Sequence, residues 1–231
     1  MRWPFILGTM ALAVGLYAHS ATSILGGSAP LLPRPDHIVM VIEENHSYSQ
    51  IIDSPNAPYI NQLAAQGALF TQSFGIIHPS QPNYFALFSG STQGITENSC
   101  PHTFTTPNLG HALLAAGLTF AGYSEDLPSI GSRVCRAGPY ASKHSPWVSW
   151  QGSAVNGIPE TANLPMTSFP TDYTTLPTVS IIIPNQDNDM HNGKDPRRIQ
   201  TADRWLKEHL DPYVQWAQEH NSLLIVTWDE D

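Results

Sequence analysis

Four short stretches hold residue types that could do chemistry together. One apolar run, HIVMVI, ends in Glu43, Glu44, Asn45 and His46, and another, SLLIVTW, ends in Asp229, Glu230 and Asp231. Carboxylates that leave water side by side repel one another and lose hydration, so a divalent cation is their natural counter-charge; hard metals take carboxylate and amide oxygens. The alternative is a pair of turns solvated by water. The third stretch, GIIHPSQPNYFALFSG, sets His78 and Ser80 at the start of a helix-like segment, where a hydroxyl can cap the helix or attack an electrophile and the first amides favour an anion. The fourth, IIIPNQDNDMHNG, places Asp187, Asp189 and His191 after an apolar run, suited to metal binding, proton transfer or phosphate contact, or to a turn held by Asn and Asp side chains.

These stretches act together only if the fold gathers them. Short apolar, partly β-branched runs at 37–44, 118–125, 178–184 and 222–231 read as strands, with a further strand expected at 68–75. Helical spacing marks 57–67, 80–90 and 107–117. The segment 195–220 reads as a long amphipathic helix with Pro196 near its start and Pro212 interrupting it. In the third stretch Ser80 is the expected N-cap, Pro82 lies in the first turn and Gly90 stops the helix. Strands alternating with helices predict an α/β fold with a mainly parallel sheet sandwiched between helices, and ligands in such sheets gather at the carboxyl ends of the strands. All four stretches begin at strand ends or follow them. Residues 126–177, rich in Pro, Gly, Ser and Trp without clear periodicity, read as a long functional loop or cap.

The chain has 231 residues, 41% of them hydrophobic, which is enough for one sizeable core. A formal charge of −9 with only 10 Lys and Arg leaves no broad basic surface for a nucleic-acid backbone. Residues 1–20 read as a signal peptide, with a membrane anchor as the alternative, residues 21–35 as a linker and 36–231 as the catalytic domain. The protein is then expected to be secreted or periplasmic, with no stable membrane insertion after signal cleavage. Cys100 and Cys135 fit a disulfide in an exported chain; two free thiols or half a metal site are the alternatives, and their spacing matches no zinc pattern.

Taken together, VIEENHSYSQII, HPSQPNYFALFSG, IPNQDNDMH and LLIVTWDED resemble the secreted phosphoesterase family of bacterial acid phosphatases and non-specific phospholipases C, a branch of the alkaline-phosphatase superfamily. The likeness runs from Asp36 to the last residue. It implies an alkaline-phosphatase-like fold in which Glu44, Asn45, Asp229 and Glu230 hold a divalent metal ion, Ser80 is the nucleophile and His191 is the active-site histidine. His78, Asn83 and Asp189 are the candidate substrate contacts, and His46 stands where many relatives have Arg. Relatives continue beyond the acidic pair with a Gly-rich turn and further elements, so the domain is expected to be C-terminally incomplete. The implied activity is metal-dependent hydrolysis of a small phosphate ester, a monoester in preference to a diester or phospholipid, through a phosphoserine. The competing readings are a phospholipase C of the same family, a secreted metal- or anion-binding protein without turnover, and a Ser-His-Asp esterase. The last is disfavoured because Ser80 lacks a G-x-S-x-G elbow.

Overall fold

Strand β1, His37–Glu43, lies inside a five-stranded sheet because its residues are apolar on both faces. The computed structural model describes residues 34–231; the expected signal peptide, and the expected linker up to residue 33, lie outside the described residues. The other strands of this sheet are β2, Phe120–Ser124, β5, Asn163–Pro165, β6, Val179–Ile183, and β7, Ser222–Trp228, in the order β5-β2-β6-β1-β7 with every pairing parallel. A small antiparallel pair, β3, Arg136–Ala137, and β4, Tyr140–Ala141, stands apart.

Alternate residues of β1 feed two separate cores. Val39 and Val41 pack with Ile182 and with the apolar faces of α2, Pro58–Gln66, and α5, Arg197–Glu219. Ile38, Met40 and Ile42 face the other core, where α3, Ser80–Ser89, and α4, Leu109–Ala115, meet Trp147 and Trp150. A one-turn helix, α1, Tyr48–Ile51, follows the tip of β1. The result is the expected α/β sandwich, each buried Ile or Phe contributing ~1.5–3 kcal/mol. Among the described residues, no helix is long and apolar enough to cross a membrane.

The register fixes the site. Glu43 pairs with Trp228 and Val41 with both Val226 and Ile182, so the tips of β1, β6 and β7 end level with one another. Two expectations about elements are corrected. Residues 68–75 form no strand: Leu69, Phe70 and Phe74 are exposed, and the run passes the tip of β7 without joining a ladder. An apolar run becomes a strand only where a sheet edge accepts its hydrogen bonds. At that passage Gly75 lies so near the chain that a Cβ would stand 2.9 Å from the Asp229 carbonyl oxygen. Nor does Pro212 interrupt α5, which runs unbroken through it because Leu206, Leu210, Tyr213 and Val214 on both sides are buried in one core; that packing outweighs the lost hydrogen bond.

The aperiodic stretch 126–177 contributes to both cores. It carries a 3-10 turn at Ser142–His144, a second at Pro146–Trp150, and the edge strand β5. Cys100 and Cys135 form a disulfide. Ser142 lies against it, donating from Oγ to Cys100 Sγ at 3.3 Å and from its amide to the Cys135 carbonyl at 3.1 Å. The disulfide therefore braces the turn that follows.

Trp147 lies flat over β2 and donates its indole N–H to Asn163 Oδ1 at 2.9 Å. A Cβ on Gly122 would stand 2.1 Å from its ring. Since Trp147 is fully buried and overpacking costs about 1–3 kcal/mol or more, Gly122→Ala is expected to lower the free energy of unfolding by an amount in the upper part of that range, read as a lower midpoint in chemical unfolding. A wild-type midpoint in chemical unfolding would show that the indole can move aside.

Candidate active site

Glu44, the residue just past β1, is buried and makes more polar contacts than its neighbours. Its Oε1 accepts from the Tyr84 hydroxyl at 2.8 Å and lies 2.8 Å from His144 Nε2. Its Oε2 accepts from Ser80 Oγ at 3.1 Å and from Asn45 Nδ2 at 2.9 Å. Its amide donates to the Asp189 carbonyl at 2.8 Å, which ties the tip of β1 to the loop after β6.

Ser80 is not the helix cap that its position suggested. Pro79 occupies the N-cap and Ser80 is the first helical residue, so its hydroxyl is free of the backbone and bonds Glu44 Oε2 and, at 3.0 Å, Glu230 Oε1. The expected row of helix amides is largely absent: the Gln81 amide donates to Asn98 Oδ1 at 3.0 Å, and Pro82 has none. Asn45, with φ of 50°, turns the chain so that its amide reaches Asp229 Oδ1 at 3.3 Å.

The remaining sequence-derived candidates divide. Asp189 is fully buried, accepts from the His191 amide at 2.8 Å and lies 3.4 Å from His144 Nδ1. His78, two-thirds exposed, stands 2.6 Å from Glu230 Oε2 and 3.3 Å from Asp231 Oδ1. Asn83 is engaged by the backbone before Ser80; its Oδ1 accepts from the Ile76 and Ile77 amides and so shapes the loop that leads to Ser80. His46 bridges the Glu44 carbonyl at 2.9 Å and Asp195 Oδ1 at 3.0 Å. His191 is half-buried at the rim. Lys143 can only donate, so at 3.4 Å it makes His191 Nε2 the acceptor, which leaves Nδ1–H to donate to Asn192 Oδ1 at 3.1 Å.

Three residues of the cluster escaped sequence reasoning. His144 and Lys143 sit on the 3-10 turn inside the aperiodic stretch, where nothing but the Lys-His pair itself marked them. Tyr84 carried a usable signal: it lies four residues after Ser80 and so shares its helix face. The His144 ring stacks on Tyr84 with centroids 5.0 Å apart and lies 5.9 Å from the ring of His191.

Charge is unbalanced. Glu43, Glu44, Asp189, Asp229 and Glu230 are all buried here, while His144 and Lys143 are the cations that face them. Among the described residues, both oxygens of Glu43 and Oδ2 of Asp229 have no hydrogen-bond partner. Burial, then the charge of Asp189, raises the Glu43 carboxyl well above its usual range. Burial and the charge of Glu44 push Asp229 up to about 8. For His144, burial opposes protonation, but the charge of Glu44 and contacts to Asp189 and Glu44 override it and push the imidazole up to about 9. Burial likewise works against ionised Glu44, yet the charge of His144 holds it well below the ordinary carboxylate range.

Such a site fits a cation. Of the donors expected from sequence, Glu44 and Glu230 accept from the Ser80 hydroxyl, and Asn45 links Glu44 to Asp229. A tighter group is Glu44, His144 and Asp189, whose ligand atoms lie within 4.8 Å of one another. The two sets share Glu44. The oxygen-rich set suits a hard ion, and the set with imidazole suits a transition metal.

A model of the phosphoesterase family matches residues 52–231. The chain is 48% identical over 229 residues to phosphatidylinositol-3-phosphatase of Mycobacterium tuberculosis, an alignment covering 98% of this chain and 74% of that protein. It is 29% identical over 206 residues to the phosphate-repressible acid phosphatase of Penicillium chrysogenum, covering 84% of this chain and 48% of the relative. Over 201 residues it is 28% identical to acid phosphatase of Aspergillus fumigatus, covering 81% and 43%. The chain thus spans about three quarters of the mycobacterial relative and less than half of each fungal one.

The buried protons predict how metal-free protein responds to pH. Native Asp229 keeps its proton up to about 8 and native His144 up to about 9, whereas in the unfolded chain those groups release it near ~3.9 and ~6.5. A native state that binds more protons loses stability as pH rises, so the melting temperature in chelator is expected to fall from about pH 4, where unfolded Asp229 releases its proton, to about pH 9. Glu44 has the opposite sign, but its effect is confined to pH below about 4.3. An added divalent cation should flatten or reverse the decline by taking the place of the protons. A melting temperature that climbs with pH in chelator would contradict the assignment of buried protons.

Proposed function

The chain belongs to the phosphoesterase family, hydrolases of phosphoric ester bonds, and from that premise we propose that it is a phosphomonoesterase of the acid phosphatase type, working on small phosphate esters through a phosphoserine at Ser80. The observation that carries this reading is the setting of Ser80, a hydroxyl released from capping and hydrogen-bonded to two buried carboxylates, Glu44 and Glu230. The named relatives are all phosphatases, which supports a monoester as substrate.

The chemistry follows from what each side chain can give. Ser80 Oγ attacks phosphorus while the bond from phosphorus to the alcohol oxygen breaks, and its proton passes to the Glu230 carboxylate that already accepts it, while Glu44, kept ionised by His144, orients the hydroxyl. The departing alkoxide takes a proton from the Lys143–His191 pair. Water then attacks the phosphoserine and returns a proton to that pair, and Ser80 recovers its own as inorganic phosphate leaves. Bound by Glu44, Asn45, Asp229 and Glu230, a divalent cation would supply positive charge against the serine and phosphate oxygens. His144, fixed between Glu44 and Asp189 and stacked on Tyr84, holds both carboxylates in place.

We also propose that the enzyme works outside the reducing cytosol. The Cys100–Cys135 disulfide supports this, because such bonds persist in oxidising compartments.

Ser80→Ala is expected to lower turnover of a chromogenic aryl phosphate by roughly a thousandfold or more, as removal of a nucleophile does elsewhere, with the circular dichroism spectrum unchanged. A chelator should abolish wild-type activity and a divalent cation should restore it. Wild-type turnover by the variant would overturn the nucleophile, and full activity in chelator would overturn the metal.

A further inference from the structure

Next to His191, outside the carboxylate cluster, the loop after β6 and the first turn of α5 enclose a cavity of about 380 Å³ lined by Asp187, Asn192, Lys194, Asp195, Arg197 and Arg198, among others. Asn192 links this cavity to His191: Oδ1 accepts from His191 Nδ1 at 3.1 Å, and Nδ2 donates to Asp187 Oδ1 at 2.8 Å. Of the two acids of this cavity, Asp195 is ion-paired and Asp187 is engaged by an amide. Asp195 accepts from Arg198 at 2.7 and 3.3 Å and stands 3.0 Å from His46 Nε2, and Asp187 holds Asn192. Lys194 and Arg197 are exposed, and among the described residues neither has a carboxylate within 4.0 Å.

The distribution of charge sharpens the point. The whole chain carries a formal charge of −9 and only ten Lys and Arg, yet Lys194, Arg197 and Arg198 line this one cavity, Arg198 Nη1 lies 3.5 Å from the His191 carbonyl, and Lys143 stands 3.4 Å from His191 Nε2. An acidic protein repels polyanions, so unpaired cations lining a cavity are what a second anionic group needs, both for steering and for charge-assisted hydrogen bonds. Arg197 offers a planar fork suited to a phosphate or carboxylate, and the cavity lies in the size range of small-ligand sites.

We propose that this cavity binds a second anionic group, a phosphate or carboxylate, carried on the alcohol part of the ester whose first phosphate is set against Ser80. The inference rests on the phosphatase reading above and narrows it to phosphate monoesters with a further anion on the alcohol. That chemistry is shared by soluble bisphosphates and by anionic lipid headgroups.

The test compares wild type with the double variant Lys194→Ala, Arg197→Ala on three substrates: p-nitrophenyl phosphate, soluble inositol 1,3-bisphosphate, and phosphatidylinositol 3-phosphate in phosphatidylcholine vesicles. The double variant is expected to lose about tenfold or more in kcat/KM on the soluble bisphosphate, mainly through KM, while the aryl phosphate changes by less than about twofold. A parallel loss on the lipid shows that the cavity reads the headgroup; loss on vesicles alone means that the cations serve the membrane surface and overturns the subsite. An equal loss on all three substrates, or on none, overturns it as well. Binding of inositol 1,3-bisphosphate to Ser80→Ala protein, measured by calorimetry with and without the two substitutions, separates the claims. If wild type hydrolyses no ester yet binding weakens about tenfold with the substitutions, the phosphatase reading falls and the anion site stands. Unchanged binding removes the anion site.

Discussion

Several carboxylates share one small volume, and much of the architecture around the site answers that constraint. Parallel strands that end level with one another deliver their last side chains to the same edge, and here β1 and β7 both end in acids. Buried together without counter-charge they would remain protonated, as the raised Glu43 and Asp229 show. Ionised Glu44 is the exception because an imidazolium is held against it. The cluster therefore holds protons that a cation could displace, and the Ser80 hydroxyl lies among its carboxylates.

Glu44 is the hub of that arrangement. Four side chains from three elements converge on its two oxygens: Tyr84 and Ser80 from α3, His144 from the 3-10 turn and its own neighbour Asn45. A single carboxylate held in this way cannot rotate, so the orientation of Ser80 follows from it. The supports lie further out. The disulfide braces the turn that bears Lys143 and His144, Asn83 pins the loop before Ser80, and Asp189 hands its carbonyl to the Glu44 amide. Each of these contacts positions one of the polar groups that the chemistry uses.

Much of this was legible along the chain. Apolar runs with acidic ends, a Ser before a helix and an Asp-x-His turn each carried a local signal, and strand-helix alternation brought them to one edge. Other features were hidden for reasons that can be stated. Residues 68–75 have the composition of a strand, but strand formation depends on a partner edge elsewhere in the chain. Ser80 read as a cap because Ser is among the commonest caps, and only the backbone at Pro79 frees its hydroxyl. His144 lies in a stretch without periodicity, so nothing along the chain connected it to Glu44, a hundred residues earlier.

The sequence by itself determined the class of the fold, the acidic strand ends and the identity of the hydroxyl, because hydrophobic periodicity and side-chain chemistry are local properties written residue by residue. The tertiary structure alone decided which of those groups touch. Hydrogen-bond partners at a spacing of 2.8 to 3.1 Å and the imidazolium that keeps Glu44 charged join residues far apart in the chain. Their proximity is set by sheet register and loop packing, and no local pattern encodes those.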